Sequence, residues 1–158
     1  MSEEEETPSV EFGGFKYENG AIYVGSWNNQ GQKCGEGHLL LPNGARYDGN
    51  FENNLFNGLG VLSFPDGAKY EGEFSNGWFH GHGTFWRADG MRYEGEYRGG
   101  KIWGLGLVTF NDDSHGFPRC EGYFENCKML KRQKCPEVVL KAQMVSLMAR
   151  KNSVENLE

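Results

Sequence analysis

One five-residue pattern recurs at a nearly fixed interval along this chain, and the interval constrains the fold more than any other feature. Tyr-Glu-Gly-Glu-Phe stands at Tyr70–Phe74, followed by Gly-x-Gly and then Asp-Gly, and the series restarts at Tyr93. The spacing from Tyr47 to Tyr70 and from Tyr70 to Tyr93 is 23 residues in both cases. Self-similarity at such a period indicates a repeat array. Arrays present extended surfaces, so we expect binding and no enzymatic activity.

Each repeat predicts a β-hairpin. Four full units start at Tyr23, Tyr47, Tyr70 and Tyr93, with a half-unit before them and a degraded half-unit at Cys120–Phe124. Apolar and polar residues alternate within each unit, which is typical of half-buried strands. Two-residue turns with positive φ at both positions are predicted at Asn19-Gly20, Asn43-Gly44, Asp66-Gly67 and Asp89-Gly90. The predicted fold class is an all-β repeat array, a single-layer antiparallel meander of hairpins with a C-terminal α-helix.

The repeats end before the C-terminus, which divides the chain into four segments. We expect a disordered acidic tail at residues 1–9, the repeat sheet at 10–127, a basic and apolar helix at 128–151, and a disordered tail at 152–158. Pro136 suits the first turn of a helix, so the regular part of the helix is predicted from about Pro136 to Lys151. Its apolar arc is broad, which suggests that the helix touches more than one surface.

Composition excludes several function classes. The net charge of −6 argues against nucleic-acid binding, which needs a basic surface. No apolar stretch is long enough for a membrane span or signal peptide, so a cytoplasmic location with reduced cysteines is expected. The cysteines form no Cys-x-x-Cys pair, and His80 and His82 lack further ligands nearby, so no metal or cofactor site is predicted. We expect a monomer.

The aromatic and glycine residues of each unit share one face, for which two interpretations stay open. The rings either form the core or line a groove that a single sheet leaves uncovered. Phe56, Phe79 and Ile102 recur once per unit and are predicted to line that groove. The full set of candidate partner-binding residues is Phe51, Phe56, Phe64, Phe74, Phe79, Phe85, Tyr97, Ile102, Glu73 and Glu94. The acidic residues are expected mostly on the opposite, solvated face, where their field would attract a basic peptide.

The basic tail also has two interpretations. Lys128, Lys131, Arg132, Lys134, Lys141, Arg150 and Lys151 stand against a single acid, Glu137. The helix either packs on the last hairpin and caps the edge of the sheet, or contacts an anionic membrane through its basic residues. The first arrangement belongs to a peptide-binding adaptor. The second belongs to the alternative function, a membrane-associated scaffold that binds phosphoinositides.

The units resemble MORN repeats, whose pattern is Tyr-x-Gly-x-Trp/Phe followed by Gly-x-Gly and a closing glycine. The resemblance covers Gly13 to Phe124, and it implies the single-layer sheet. The segments Asn57–Leu62, Ser114–Arg119 and Glu121–Asn126 are similar to small MORN proteins that end in one helix. That similarity implies an adaptor for the tail of a class III unconventional myosin. It also implies residence in actin-rich protrusions such as the microvilli of sensory cells, photoreceptors included.

Overall fold

The repeat units form one sheet of eleven strands within the part of the chain that the structure describes. The structure is a computed structural model that describes residues 10–155, with side chains described from 10 to 151. The strands are β1 (Glu11–Lys16), β2 (Ile22–Trp27), β3 (Lys33–Leu40), β4 (Arg46–Glu52), β5 (Leu55–Ser63), β6 (Lys69–Ser75), β7 (Trp78–Trp86), β8 (Arg92–Arg98), β9 (Lys101–Thr109), β10 (Glu121–Glu125) and β11 (Lys128–Arg132).

The strands follow one another in the sheet in chain order, and each pairs antiparallel with the next. Equivalent positions of successive units fall in register, because every unit contributes two strands. Gly60, for example, faces Gly72 on one side and Gly49 on the other. The predicted single-layer meander is confirmed.

The predicted turns have a different geometry from the expected one. At Gly20 φ is +92°, but Asn19 keeps negative φ, and the same holds at the three later Asn/Asp-Gly pairs. The amide of Gly20 donates to the carbonyl of Tyr17 at 3.0 Å, and the amide of Tyr17 donates to Ala21. This is a type I turn closed by a left-handed glycine. Asn19 is favoured because its side-chain oxygen accepts from the Ala21 amide.

The two-residue turns with positive φ at both positions lie at the other ends of the hairpins. Asn53 and Asn54 have φ of +50° and +69°, and Asn76 and Gly77 have +49° and +88°. The pairs Gly99-Gly100 and Asn126-Cys127 repeat this geometry at the β8–β9 and β10–β11 connections. The prediction of such turns at the Asn/Asp-Gly pairs was therefore wrong in position, because those glycines close three-residue loops.

Tyrosine rings on one face of the sheet fill the space that the paired glycines leave. We call this the ring face; it bears Tyr23, Tyr47, Tyr70 and Tyr93, each at most 3% exposed. A Cβ atom added at Gly83 would lie 2.6 Å from the hydroxyl oxygen of Tyr70. Real Cβ atoms do not approach other heavy atoms so closely. The glycines leave room for rings, as the sequence predicted.

The C-terminal helix α1 (Pro136–Glu155) lies across the other face of the sheet, over β4 to β9. We call this the helix face. Val139, Ala142, Val145 and Ala149 of α1 are buried against it, each at most 8% exposed. The prediction that the helix packs on the last hairpin and caps the edge of the sheet was therefore wrong. The chain turns at Cys135, whose amide donates to Glu121 of β10, and this directs the helix back over the sheet.

The segment boundaries also need correction. Residues 128–132 form strand β11 and not part of the helix, because Lys128 and Met129 pair with Glu125 and Phe124. The helix begins at Pro136, as its proline indicated, and continues to Glu155. It therefore includes residues 152–155, which were expected in a disordered tail. The rest of the two predicted tails, residues 1–9 and 156–158, lies outside the described residues.

Candidate functional site

The ring face carries a continuous aromatic cluster. Its buried members are Tyr23, Tyr47, Phe51, Leu62, Tyr70, Phe74, Tyr93, Tyr97 and Phe124. Neighbouring rings meet edge to face, for example Tyr47 with Phe74 at 5.2 Å between centroids and Tyr70 with Tyr97 at 5.0 Å. Such contacts add to the stability that burial alone provides. This supports the interpretation that most of the rings form the core.

A second row of side chains lies on top of this cluster and is only partly buried. Phe56 stacks on Tyr47 with ring centroids 3.8 Å apart, and Phe79 stacks on Tyr70 at 4.0 Å. Ile102 occupies the same position in the next unit, directly across from Tyr97. Sequence reasoning placed these three residues together on the ring face, and the structure does so too. We call them the anchor row.

The anchor row continues into further apolar residues that remain partly exposed. Two of these residues, Phe64 and Phe85, were predicted from the sequence. Five more lie outside the predicted set: Tyr17, Trp27, Leu39, Val108 and Met129. Since α1 packs on the helix face, it does not cover this strip. Met129 was missed because it stands in the degraded last unit at the position that Phe56 and Phe79 occupy in earlier units. The ring face therefore has two layers. We call the buried cluster residues the floor, and we call the anchor row and these further partly exposed residues the apolar strip.

Three of the predicted partner-binding residues belong to the floor of this strip. Phe51, Phe74 and Tyr97 are each 4% exposed. They support the anchor row from below: Phe51 lies 5.6 Å from Phe56, and Phe74 lies 5.6 Å from Phe79 between centroids. Their contribution to a ligand site is thus to hold the accessible rings in place.

The predicted acidic residues lie on the helix face, away from the anchor row. Glu73 and Glu94 alternate with the rings along β6 and β8, so they point to the other side of the sheet. Glu94 is only 5% exposed and accepts a hydrogen bond from Nε of Arg92 at 3.2 Å. Glu73 is partly exposed and accepts from the amide of His82 at 2.6 Å. The structure does not bring these carboxylates together with the aromatic candidates.

The expectation that most acids on this face are solvated was wrong for its central members. Glu71, Asp48 and Glu94 are buried, at 1%, 6% and 5% exposure. Glu71 accepts from Ser146 Oγ at 2.8 Å and from Arg150 Nε at 2.9 Å, and Lys69 Nζ lies 2.7 Å from it. Burial alone would raise the pKa of Glu71, but these partners outweigh it and lower the pKa. The carboxylate fastens α1 to the sheet.

The electrostatic character of the ring face differs from that of the helix face. The side chains that pack together on the ring face are hydrophobic, whereas the helix face contains the buried carboxylates Asp48, Glu71 and Glu94. At one end, Lys33 Nζ lies 4.8 Å from the centre of the Tyr17 ring, which is a cation–π contact. The strip is therefore suited to apolar and aromatic groups, with one cation near its N-terminal end.

Other candidate chemistry remains separate from this strip. Within residues 10–155, no group of three or more His, Cys, Asp and Glu side chains is placed to hold a metal ion. His82 Nδ1 lies 3.7 Å from Glu73 on the helix face. All four cysteines are free thiols. Among the helices of the described chain, none has the length and apolar character that a membrane crossing requires.

Comparison with known proteins assigns the repeats. The MORN repeat family matches four consecutive segments, residues 23–46, 47–69, 70–92 and 93–115. The chain is also similar to the MORN repeat-containing protein 4 homolog of Drosophila melanogaster, with 62% identity over 142 residues. That alignment covers 90% of this chain and 72% of the relative. Four tandem matches in register with the hairpins, together with this identity, show that the chain belongs to the MORN repeat family.

Proposed function

We propose that this chain is a non-enzymatic adaptor whose ring face binds a peptide segment of a partner protein. The observation that carries the proposal is the anchor row: Phe56, Phe79 and Ile102 recur once per unit on a sheet face that α1 leaves uncovered. Rigid, partly exposed aromatic side chains supported by a packed floor are typical of binding hot spots. The chain belongs to the MORN repeat family, and repeat arrays present the extended surfaces that such binding needs.

The spacing of the anchor row indicates what kind of peptide would fit. Equivalent positions of neighbouring units are two strands apart, or about 10 Å. A peptide in the polyproline II conformation that crosses the strands advances about 9 Å per turn of three residues, so every third side chain returns to the same side. The ligand would therefore present apolar side chains at intervals of about three residues, with few charges between them. Phe64 and Phe85 would contact the flanks of such a segment.

The partner that the sequence favours is the tail of a class III unconventional myosin. The plan of the chain, MORN repeats followed by one helix, resembles retinophilin, a MORN protein associated with such myosins. By that resemblance the adaptor would reside in the cytoplasm of actin-rich protrusions, including the microvilli or rhabdomeres of photoreceptors. The support is the resemblance of Asn57–Leu62, Ser114–Arg119 and Glu121–Asn126, and the apolar strip described above.

The experiment that tests this function is a titration of the full chain with a purified class III myosin tail. Binding is measured by calorimetry, and the contact surface is located from changes in amide chemical shifts. We expect saturable binding and shift changes concentrated on Phe56, Phe79 and Ile102. Shift changes confined to α1 would contradict the ring-face assignment. Absence of binding to the tail, with binding of another peptide to the ring face, would contradict the myosin assignment alone.

A further inference from the structure

The outer side of α1 carries a second apolar surface, separate from the ring face. Leu140, Met144, Leu147 and Met148 are exposed by 57%, 58%, 45% and 48%. They point away from the sheet, because Ala142, Val145 and Ala149 on the other side of the helix are the residues buried against it. We call these four residues the outer stripe. The broad apolar arc of the sequence thus divides into a side packed on the sheet and a side that remains accessible.

One row of exposed residues that runs through the outer stripe is symmetric about Met144, and Leu147 lies beside this row. The exposed residues Glu137, Leu140, Met144, Met148 and Lys151 follow one another at intervals of three, four, four and three residues. Intervals of three and four place residues along one side of a helix. The two ends of this row carry opposite charges, and both charged residues are exposed.

We propose that two copies of this chain associate through the outer stripe, with their helices antiparallel and crossing at Met144. A two-fold axis at Met144 places Leu140 against Met148 of the second copy. It also places each Glu137 beside Lys151 of the second copy. A two-fold interface uses the same patch on both subunits, so the patch must be complementary to itself. The sequence of the row satisfies that requirement, with like apolar groups at the centre and opposite charges at the ends.

The charges favour this occupant over other arrangements. A parallel pair of helices would bring Glu137 against Glu137 and Lys151 against Lys151, and like charges in contact are unfavourable. An anionic lipid surface would meet Lys141 and Lys151 favourably, but it would also meet the exposed carboxylate of Glu137. The antiparallel pair gives both ends of the row a partner of opposite sign.

The size of the outer stripe sets the strength of the association. Stable interfaces use roughly 20–30 residues from each partner, whereas this surface consists of the four residues of the outer stripe and the charged residues Glu137 and Lys151. The dimer is therefore weak and forms only at high protein concentration. In dilute solution the chain is the monomer that the sequence analysis predicts. The ring face lies on the other side of the sheet, so association leaves the anchor row accessible.

Sedimentation equilibrium of the full chain over a wide concentration range tests the proposal. We expect the mean mass to rise from 17.8 kDa towards twice that value as concentration increases. Met144→Asp puts two carboxylates at the two-fold axis and should keep the chain monomeric without changing its melting temperature or its affinity for the myosin tail. Gln143→Asp is the control, because Gln143 is exposed on the same helix but lies outside the outer stripe.

A charge exchange tests the antiparallel orientation. Glu137→Lys and Lys151→Glu should each weaken the dimer by about fivefold, and the double variant should recover wild-type association, since each end then has its opposite charge again. A wild-type chain that stays monomeric at every concentration would overturn the proposal. So would a dimer that Met144→Asp leaves intact, a double variant that is no better than the single ones, or binding to phosphatidylserine vesicles without self-association.

Discussion

At the scale of single residues, the fold depends on the fit between each tyrosine and the glycine of the next strand. Tyr70 is fully buried, and its hydroxyl donates to the carbonyl of Glu73 at 2.8 Å. Its ring occupies the space where Gly83 has no side chain. The same contact recurs between Tyr47 and Gly60. The glycines that weaken isolated strands are therefore required by the packing of the whole sheet.

Substitution of one such glycine should be costly. Gly83→Ala would place a methyl group against the Tyr70 ring, and such overpacking typically costs about 1–3 kcal/mol. We expect the free energy of unfolding to fall by about 2–3 kcal/mol in urea titration. Gly14→Ala is the matched control, since its added Cβ would meet ordinary contacts at 3.6 Å in β1. Equal stability of the two variants would show that the rings do not require the glycines.

The second prediction at this scale concerns the contact between Glu71 and Arg150. Arg150→Gln removes the cation that Glu71 contacts at 2.9 Å and should lower stability at neutral pH by about 1–2 kcal/mol. The pKa of Glu71 is lower in the folded chain, so its contribution is fully present above the ordinary value of 4.5. It is lost as pH falls through the folded pKa.

The measurement is the melting temperature of both proteins as a function of pH. The difference between wild type and Arg150→Gln should shrink as the pH falls below 4.5, because Glu71 becomes protonated. A difference that stays constant through this range would mean that Arg150 acts through its alkyl contacts alone.

At the scale of elements, the helix and the sheet stabilise each other through one buried contact surface. Val145 of α1 is 5% exposed, whereas its neighbour Met144 is 58% exposed. Val145→Asp would bury a carboxylate without a partner and should cost several kcal/mol, a large share of the stability of a small domain. Met144→Asp should leave the thermal unfolding curve unchanged. If Val145→Asp melts like wild type, the helix does not depend on this surface.

Because the ring face buries several tyrosine hydroxyl groups, we expect the sheet to unfold at high pH. Burial raises the pKa of Tyr23 to about 12, and it raises the pKa of Tyr47, Tyr70, Tyr93 and Tyr97 further. Stability from these neutral phenols is present below pH 10, their ordinary pKa, and is lost as pH rises through the folded values. The phenolate absorbance of these five should therefore appear together with loss of the sheet signal in circular dichroism. Their ionisation in an intact sheet would contradict the packing.

The period of 23 residues and the alternation within each unit were enough to predict the sheet and the aromatic side on which Phe56, Phe79 and Ile102 lie. The turn types were not predictable from Asn-Gly and Asp-Gly alone, because the same pairs suit two loop lengths. The position of α1 depends on Glu71 contacting Ser146 and Arg150, far apart in the sequence. No local pattern indicates such a pairing.

At the scale of the whole molecule, the two faces of one sheet have different roles. On the helix face, α1 packs across β4 to β9 and is fastened there by the buried carboxylate of Glu71. The ring face keeps an accessible apolar strip above a packed aromatic floor. The central claim of the proposed function is that the helix face stabilises the single-layer sheet and the ring face binds the peptide.

The most direct test of that claim compares two adjacent aromatic residues of β7. Phe79 lies on the ring face, and Trp78, which is 61% exposed, points to the other face. In calorimetric titration with the class III myosin tail, folded Phe79→Ala should lose about 2 kcal/mol of binding free energy, or more than tenfold in affinity. Trp78→Ala should bind like wild type. Wild-type affinity of Phe79→Ala, or a loss seen only for Trp78→Ala, would contradict the ring-face site.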